Sequence, residues 1–287
     1  MVCRIHQAKQ HRSAIPGIEA MTLVSNHHFP RHSHDHFGIG VMAFGAQRSW
    51  SGVGAVSASA GDVIMVNPGE MHDGAPLDGS ARGWRIIYLD PTLMAREVEE
   101  EFARPVEIVR PVARDALLAE RFAGLFASLT GEHSDPLARE QNLLRSLMCL
   151  LRRHGMAKPT FTGRSPTVAK AIERLDSASD AAVSLAELAA LSGVSRFQLL
   201  RGFAREVGIT PHAYLVQRRV RLVRRLLADG QTPAEAAIQV GFADQSHMTR
   251  AFVRQLGITP SRYRAAVGGS ACPTFRGIDR RKRLSYT

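Results

Sequence analysis

Cysteine, long apolar runs and, over one stretch, lysine are what this 287-residue sequence has least of. Three cysteines, Cys3, Cys149 and Cys272, stand far apart and are odd in number. They make neither a zinc knuckle nor a disulfide framework, so a reducing cytoplasm is the expected compartment. No stretch approaches the roughly 20 apolar residues of a membrane span, and the N-terminus lacks the apolar run of a signal peptide. A soluble protein with no membrane partner is expected. From 165 to 267, Lys170 is the only lysine, and every other cation is arginine.

The formal charge of +11 is unevenly placed. Residues 1–164 hold 18 Lys+Arg against 17 Asp+Glu, residues 165–267 hold 14 against 8, and the last twenty hold 5 against 1. The basic excess therefore belongs to the C-terminal part, the electrostatic footprint of a nucleic-acid binder, with a merely solvated face as the bland alternative. Arginine favours recognition, because its planar fork fits phosphate oxygens and guanine edges.

That part also contains a repeat. The segment from Arg201 to Tyr214 returns 49 positions later as Arg250 to Tyr263, sharing both arginines, the phenylalanine, the Gly-Ile-Thr-Pro block and the tyrosine. One supersecondary unit is used twice. In each copy an apolar pair (Leu199 and Phe203; Met248 and Phe252) runs out of phase with an arginine pair (Arg201 and Arg205; Arg250 and Arg254). That spacing predicts a helix with one buried and one cationic stripe.

The chain divides into a region of β-type runs with trailing helices at 1–154, a linker at 155–166, a helical region at 167–267 and a basic tail at 268–287 containing Arg280 to Arg283. The tail's composition predicts disorder and non-specific phosphate attraction. Residues 1 to about 18 read as polar and irregular. Short β-type runs follow at 19–25, 37–44, 47–51, 62–67 and 84–89, the pattern of a sandwich or small barrel. Three trailing helices are expected at 91–102, 111–130 and 135–154, with Pro91, Pro111 and Pro136 near their starts. The stripe Leu143, Leu147, Leu150 and Leu151 packs either on its own domain or in a dimer seam.

Seven helices follow: 167–176, 186–192, 196–207, 211–228, 233–240, one beginning after Asp244, and 260–266. Ser184 and Glu187 spell a capping box, and Ser195 is the expected cap of the third. A short helix, a glycine-bearing turn and a second helix occur twice, which is the helix-turn-helix layout. The intervening rod of 18 residues spans roughly 27 Å. It would let the two second helices enter successive major grooves, spaced roughly 34 Å apart.

Residues 167–267 resemble the DNA-binding domain of the AraC/XylS family of transcription regulators, most clearly in 241–252 and in the closing 257–264. The resemblance implies an α+β protein of two domains: an N-terminal cupin-like sandwich or barrel with trailing helices, then an all-α seven-helix domain with two helix-turn-helix motifs. It also implies double-stranded promoter DNA, a small-molecule effector and RNA polymerase as partners, activation more often than repression, and a homodimer through residues 91–154 as an option. The base-facing residues are expected to be Arg196, Phe197, Leu200 and Arg201 in the first copy. In the second they are Gln245, Ser246, Thr249 and Arg250, with His247 at the edge. Arg201 and Arg250 suit guanine, at roughly 1–3 kcal/mol of discrimination each, and Phe197 a thymine methyl. Arg205 and Arg254 are divided between bases and phosphate. Gly202 costs a helix about 1 kcal/mol, and close backbone approach is one explanation for it.

Five histidines fall within residues 27–36, and His72 follows Pro68 and Gly69. Alternation along a strand points His32 and His34 to one face. The segment resembles a diverged cupin, but Gly38 and Ile39 stand where metal-bearing cupins have glutamate, leaving His36 or Glu70 as substitutes. The expected role is an effector pocket built from His32, His34 and His72 with Trp50 and Tyr88 as walls, and no metal, cofactor or catalytic residue. The alternatives are a structural histidine cluster, a metal-dependent cupin enzyme with a DNA-binding appendage, and an effector-independent DNA binder.

Overall fold

The computed structural model describes residues 5–98, 102, 106–131, 135–157, 165–177 and 183–267. The basic tail, Cys3, Cys272 and positions 158–164 lie outside the described residues. A six-stranded antiparallel sheet runs β1 (His6–His11), β2 (Ile18–Ser25), β9 (Arg82–Leu89), β4 (Phe37–Phe44), β7 (Val63–Val66), β11 (Val112–Ala113). A second sheet, β3 (Phe29–His32), β8 (His72–Pro76), β5 (Ala46–Ser51) and β6 (Gly54–Ser59), completes the barrel-like domain.

Period-two alternation gives the large sheet two apolar faces. Ile18, Phe37, Ile39, Ile87 and Leu89 are buried with side chains of the trailing helices α1 (Pro91–Val98), α2 (Ala116–Thr130) and α3 (Pro136–His154). Met21, Leu23, Met42, Trp84 and Ile86, one step out of phase, belong to a different buried cluster.

Three expectations are corrected here. Residues 6–11 are not irregular but form an edge strand paired with β2 from His6 to His11; half-exposed edges tolerate polar side chains. The second trailing helix begins at Ala116 rather than Pro111: the Asp115 carboxylate caps it, and residues 112–113 pair with β7. The start of the supposed linker, Gly155–Ala157, is strand β12, paired with β10 (Val106–Ile108). The first trailing helix is described from Pro91 to Val98, and positions 99–101 of the expected helix lie outside the described residues. The leucine stripe of α3 is spent inside the domain, with Leu143, Leu147, Leu150 and Leu151 each at most 2% exposed. It is therefore not a dimer seam.

The helical domain follows the sequence reading closely: α4 (Pro166–Ser177), α5 (Leu185–Ser192), α6 (Arg196–Val207), α7 (Pro211–Ala228), α8 (Pro233–Gln239), α9 (Gln245–Leu256) and α10 (Pro260–Val267). The repeated Gly-Ile-Thr-Pro block is a helix-to-helix joint. Gly208 and Gly257 end α6 and α9 at φ +83° and +76°, in the left-handed region that favours glycine. Thr210 and Thr259 accept the N–H of Ala213 and Arg262, and a proline starts the next helix.

Ser184 accepts the Glu187 N–H, but the Glu187 carboxylate takes Arg174 instead of closing the box. Full capping boxes occur at Ser195/Gln198 and Thr232/Glu235. A Cβ on Gly202 would meet only Val168 Cγ2, at 4.0 Å, so close backbone approach does not account for this glycine. Gly202→Ala should therefore stabilise the chain by about 1 kcal/mol in a urea titration.

The two helix-turn-helix units have different surroundings. The first has its own core: Val168, Ile172, Leu188, Leu199, Phe203 and Leu215. The core of the second, with Val223, Met248, Phe252 and Tyr263, is continuous with Phe29, Trp84 and Ile86 of the barrel. The repeat's tyrosines diverge in the same way. Tyr214 OH donates to Asp176 within the helical domain, whereas Tyr263 OH donates to Glu19 of β2 at 2.7 Å.

Candidate effector cavity and DNA-reading surface

A cavity of about 100 Å³ lies inside the barrel domain. Alternate residues of β9, namely Arg82, Trp84, Ile86 and Tyr88, line it, as do His32, His34 and His72. The imidazoles converge: ring centroids are 4.3 Å apart for His32 and His72, 4.9 Å for His34 and His72, and 4.9 Å for His34 and Tyr88.

Each Nδ1 faces a main-chain carbonyl: Pro30 for His32 (2.8 Å), His36 for His34 (2.8 Å) and Glu70 for His72 (3.1 Å). A carbonyl can only accept, so Nδ1 carries the proton and Nε2 presents a lone pair. Burial, reinforced by His72, pushes His32 down to about 3 and His34 well below the usual imidazole range; burial also lowers His72. All three rings are neutral acceptors near pH 7. Burial pushes the Tyr88 hydroxyl up to about 12.

Trp50 does not line this cavity. On β5 it is Gln47, Ser49 and Ser51 that line it, and the alternation turns Trp50 outward to a cleft beside α6 and α7, where the Arg31 guanidinium stacks on it at 3.9 Å. Neither proposed glutamate substitute joins the histidines. Glu70 accepts from Asn67 and Gly52, and His36 shares a separate hollow with Glu19 and Arg224. Among the described residues, no group of three or more His, Cys, Asp or Glu is arranged to hold a metal ion.

The cavity wall also includes Gln255 and Leu256, the last residues of α9. The segment 31–35 explains how. His32 and His34 face the cavity, while Arg31, Ser33 and Asp35 face the helical domain. Gln255 Nε2 donates to the Ser33 carbonyl (3.1 Å), Ser33 N–H donates to Gln217 Oε1 (3.2 Å), and Gln217 Nε2 donates to the Arg31 carbonyl (3.0 Å). Arg221 and Arg225 pair with Asp35 at 3.1 and 3.2 Å.

Nearby, buried Arg224 meets Glu19 at 2.7 Å. Burial alone would raise the Glu19 carboxyl, but Arg224 and the Tyr263 hydroxyl hold it below the usual range. Sequence reasoning missed this whole set, because its polar side chains look like ordinary surface.

Arg196, Phe197, Arg201, Gln245, Ser246 and Arg250 are exposed, and Phe197 keeps 66% of its surface with Arg201 stacked on it at 5.4 Å. Thr249 and His247 are half-buried, His247 packing edge-on against Phe242. Arg254 is exposed. Arg205 departs from the expected face: it borders the interdomain cleft and pairs with Glu206 at 3.6 Å.

The histidine-lined cavity and the last residues of α9 thus share one wall, which joins the barrel to the second helix-turn-helix. Comparison with known proteins identifies the two domains. A family model described as an AraC-like ligand binding domain matches residues 17–147, and one described as a helix-turn-helix domain matches residues 188–266. The uncharacterized HTH-type transcriptional regulator YbfI of Bacillus subtilis is 32% identical over 77% of this chain and 81% of its own. The arabinose operon regulatory protein of Salmonella typhimurium is 28% identical over 71% and 75%.

The crystal structure of unsaturated fatty acid bound ToxT from Vibrio cholerae shares the fold at a TM-score of 0.53 and 12% identity, over 94% of this chain and 98% of that one. The chain belongs to the AraC family of transcriptional regulators, with a ligand-binding domain followed by a DNA-binding helix-turn-helix domain. Its relatives are regulators rather than enzymes, and no described helix is long and apolar enough to cross a membrane.

Proposed function

We propose that one subunit reads an asymmetric operator with α6 and α9 in successive major grooves, and that occupancy of the barrel cavity controls the placement of α9. Arg196, Phe197, Arg201, Gln245, Ser246, His247, Thr249 and Arg250 meet the bases; Arg254 meets phosphate, with Arg205 at the margin. The observation that carries the reading is the bond from Gln255 of α9 to the main chain between His32 and His34. A molecule that shifts either imidazole shifts the carbonyl that holds the helix. RNA polymerase is the partner at the promoter, and activation is the favoured direction. A homodimer through residues 91–154 would use faces other than the α3 stripe, such as those carrying exposed Leu117 and Leu137. A cavity of about 100 Å³ points to an effector smaller than a fatty acid.

The test is operator affinity, on DNA selected from a random pool, with and without the low-mass metabolite fraction of cells. Wild-type affinity should shift by about 5- to 150-fold, the usual range of allosteric coupling. Gln255→Leu, which keeps the bulk and removes the donor, should reduce that shift below about twofold. An equal shift in both proteins would sink the reading.

A further inference from the structure

The cavity has two polar ends of opposite character. At one end the imidazoles of His32, His34 and His72 offer Nε2 lone pairs, so whatever binds there must donate. At the other lies Arg82, 0% exposed. Its Nε donates to Gln47 Oε1 (3.1 Å), Nη1 to the carbonyls of Ser25 and His27 (3.0 and 3.2 Å), and Nη2 to that of Gly74 (3.2 Å). None of these acceptors is charged. Burial is what pulls the guanidinium down to about 10, with no carboxylate offsetting it. The four bonds leave one of its five N–H groups over. A buried cation without a counter-charge is costly, and an anion placed beside it recovers much of that cost.

One small molecule can reach both ends. Gly74, which holds Arg82, is two residues from His72 on β8, roughly 7 Å along the strand. Apolar Phe29, Trp84 and Ile86 also line the cavity. A cavity of 150 Å³ accommodates benzene, so about 100 Å³ restricts the ligand to one no larger than benzene.

We propose that the effector is a short-chain hydroxy acid, its carboxylate set against Arg82 and its hydroxyl donating its one hydrogen bond to Nε2 of His72, the ring that lies between those of His32 and His34. This rests on the cavity being the effector site. Each alternative leaves one end unsatisfied. A polyol or amide brings no charge to Arg82, an amine adds a second cation, and a plain carboxylic acid leaves the imidazole lone pairs without a donor.

The test titrates the full-length protein calorimetrically with lactate, glycerate and 3-hydroxybutyrate, alongside lactamide, glycerol, propionate and butyrate. At least one hydroxy acid should bind about 10-fold or more tightly than its uncharged analogue and than its deoxy acid. The acid–amide comparison uses the wild-type protein, so it does not depend on an Arg82 variant folding. In His72→Leu the advantage of the hydroxyl should fall while the preference for acid over amide remains. Lactamide or glycerol matching the acids, or no hydroxy acid binding at all, would overturn the proposal. A hydroxy acid that binds as described but leaves operator affinity unchanged upholds the ligand class and defeats the control of α9 instead.

Discussion

Glu19→Ala should destabilise the docked chain by about 3 kcal/mol in a urea titration. That is the low end for breaking a buried ion pair, because the Glu19 side chain keeps 19% exposure against 8% for Arg224. The loss arises from what stays behind: Arg224 without a counter-charge and Tyr263 without its acceptor. Glu19→Leu combined with Arg224→Met should therefore recover much of it, since no buried charge is left without a partner and only the Tyr263 hydroxyl stays unpaired. A double variant as unstable as the single one would show that packing, not charge, sets the cost. The contribution is also pH-dependent. The folded Glu19 carboxyl is held below its ordinary value, so its stabilisation is present above the ordinary carboxylate range. It should fade as pH falls through the depressed folded value, and Glu19→Ala should lack that component of acid sensitivity.

Phe252→Ala and Phe203→Ala, at matching positions of the repeat, should each cost about 3–5 kcal/mol, because both rings are 0% exposed. Their consequences should differ. Phe252 shares a buried cluster with Phe29 and Trp84 of the barrel, whereas Phe203 packs only within the helical domain. Hydrogen exchange should therefore rise around His32 and His34 in Phe252→Ala and stay unchanged there in Phe203→Ala. Equal protection in both variants would mean that the second helix-turn-helix is not coupled to the cavity.

What the sequence made legible was local. Apart from the repeat itself, the arginine stripe, the helix caps at Ser195 and Asp244, and the alternation of His32 and His34 all depend on neighbours within four residues. Trp50 was misplaced because a run of five residues does not by itself fix which alternate set faces inward. The edge strand at 6–11 was missed because only one of its sides is paired. Nothing local marks Arg82 as buried among 37 cationic residues. Nor does anything local join Gln217 and Gln255 to Ser33, 184 and 222 positions away. The two copies of the repeat are unequal, one with a core of its own and one whose core is continuous with the sensor's.

Selection of bound DNA from a random pool tests the central claim most directly. One subunit carrying two unlike recognition helices predicts two base-preference blocks of different sequence, with centres about 10–10.5 bp apart. A two-fold symmetric site, or a single block, would contradict it.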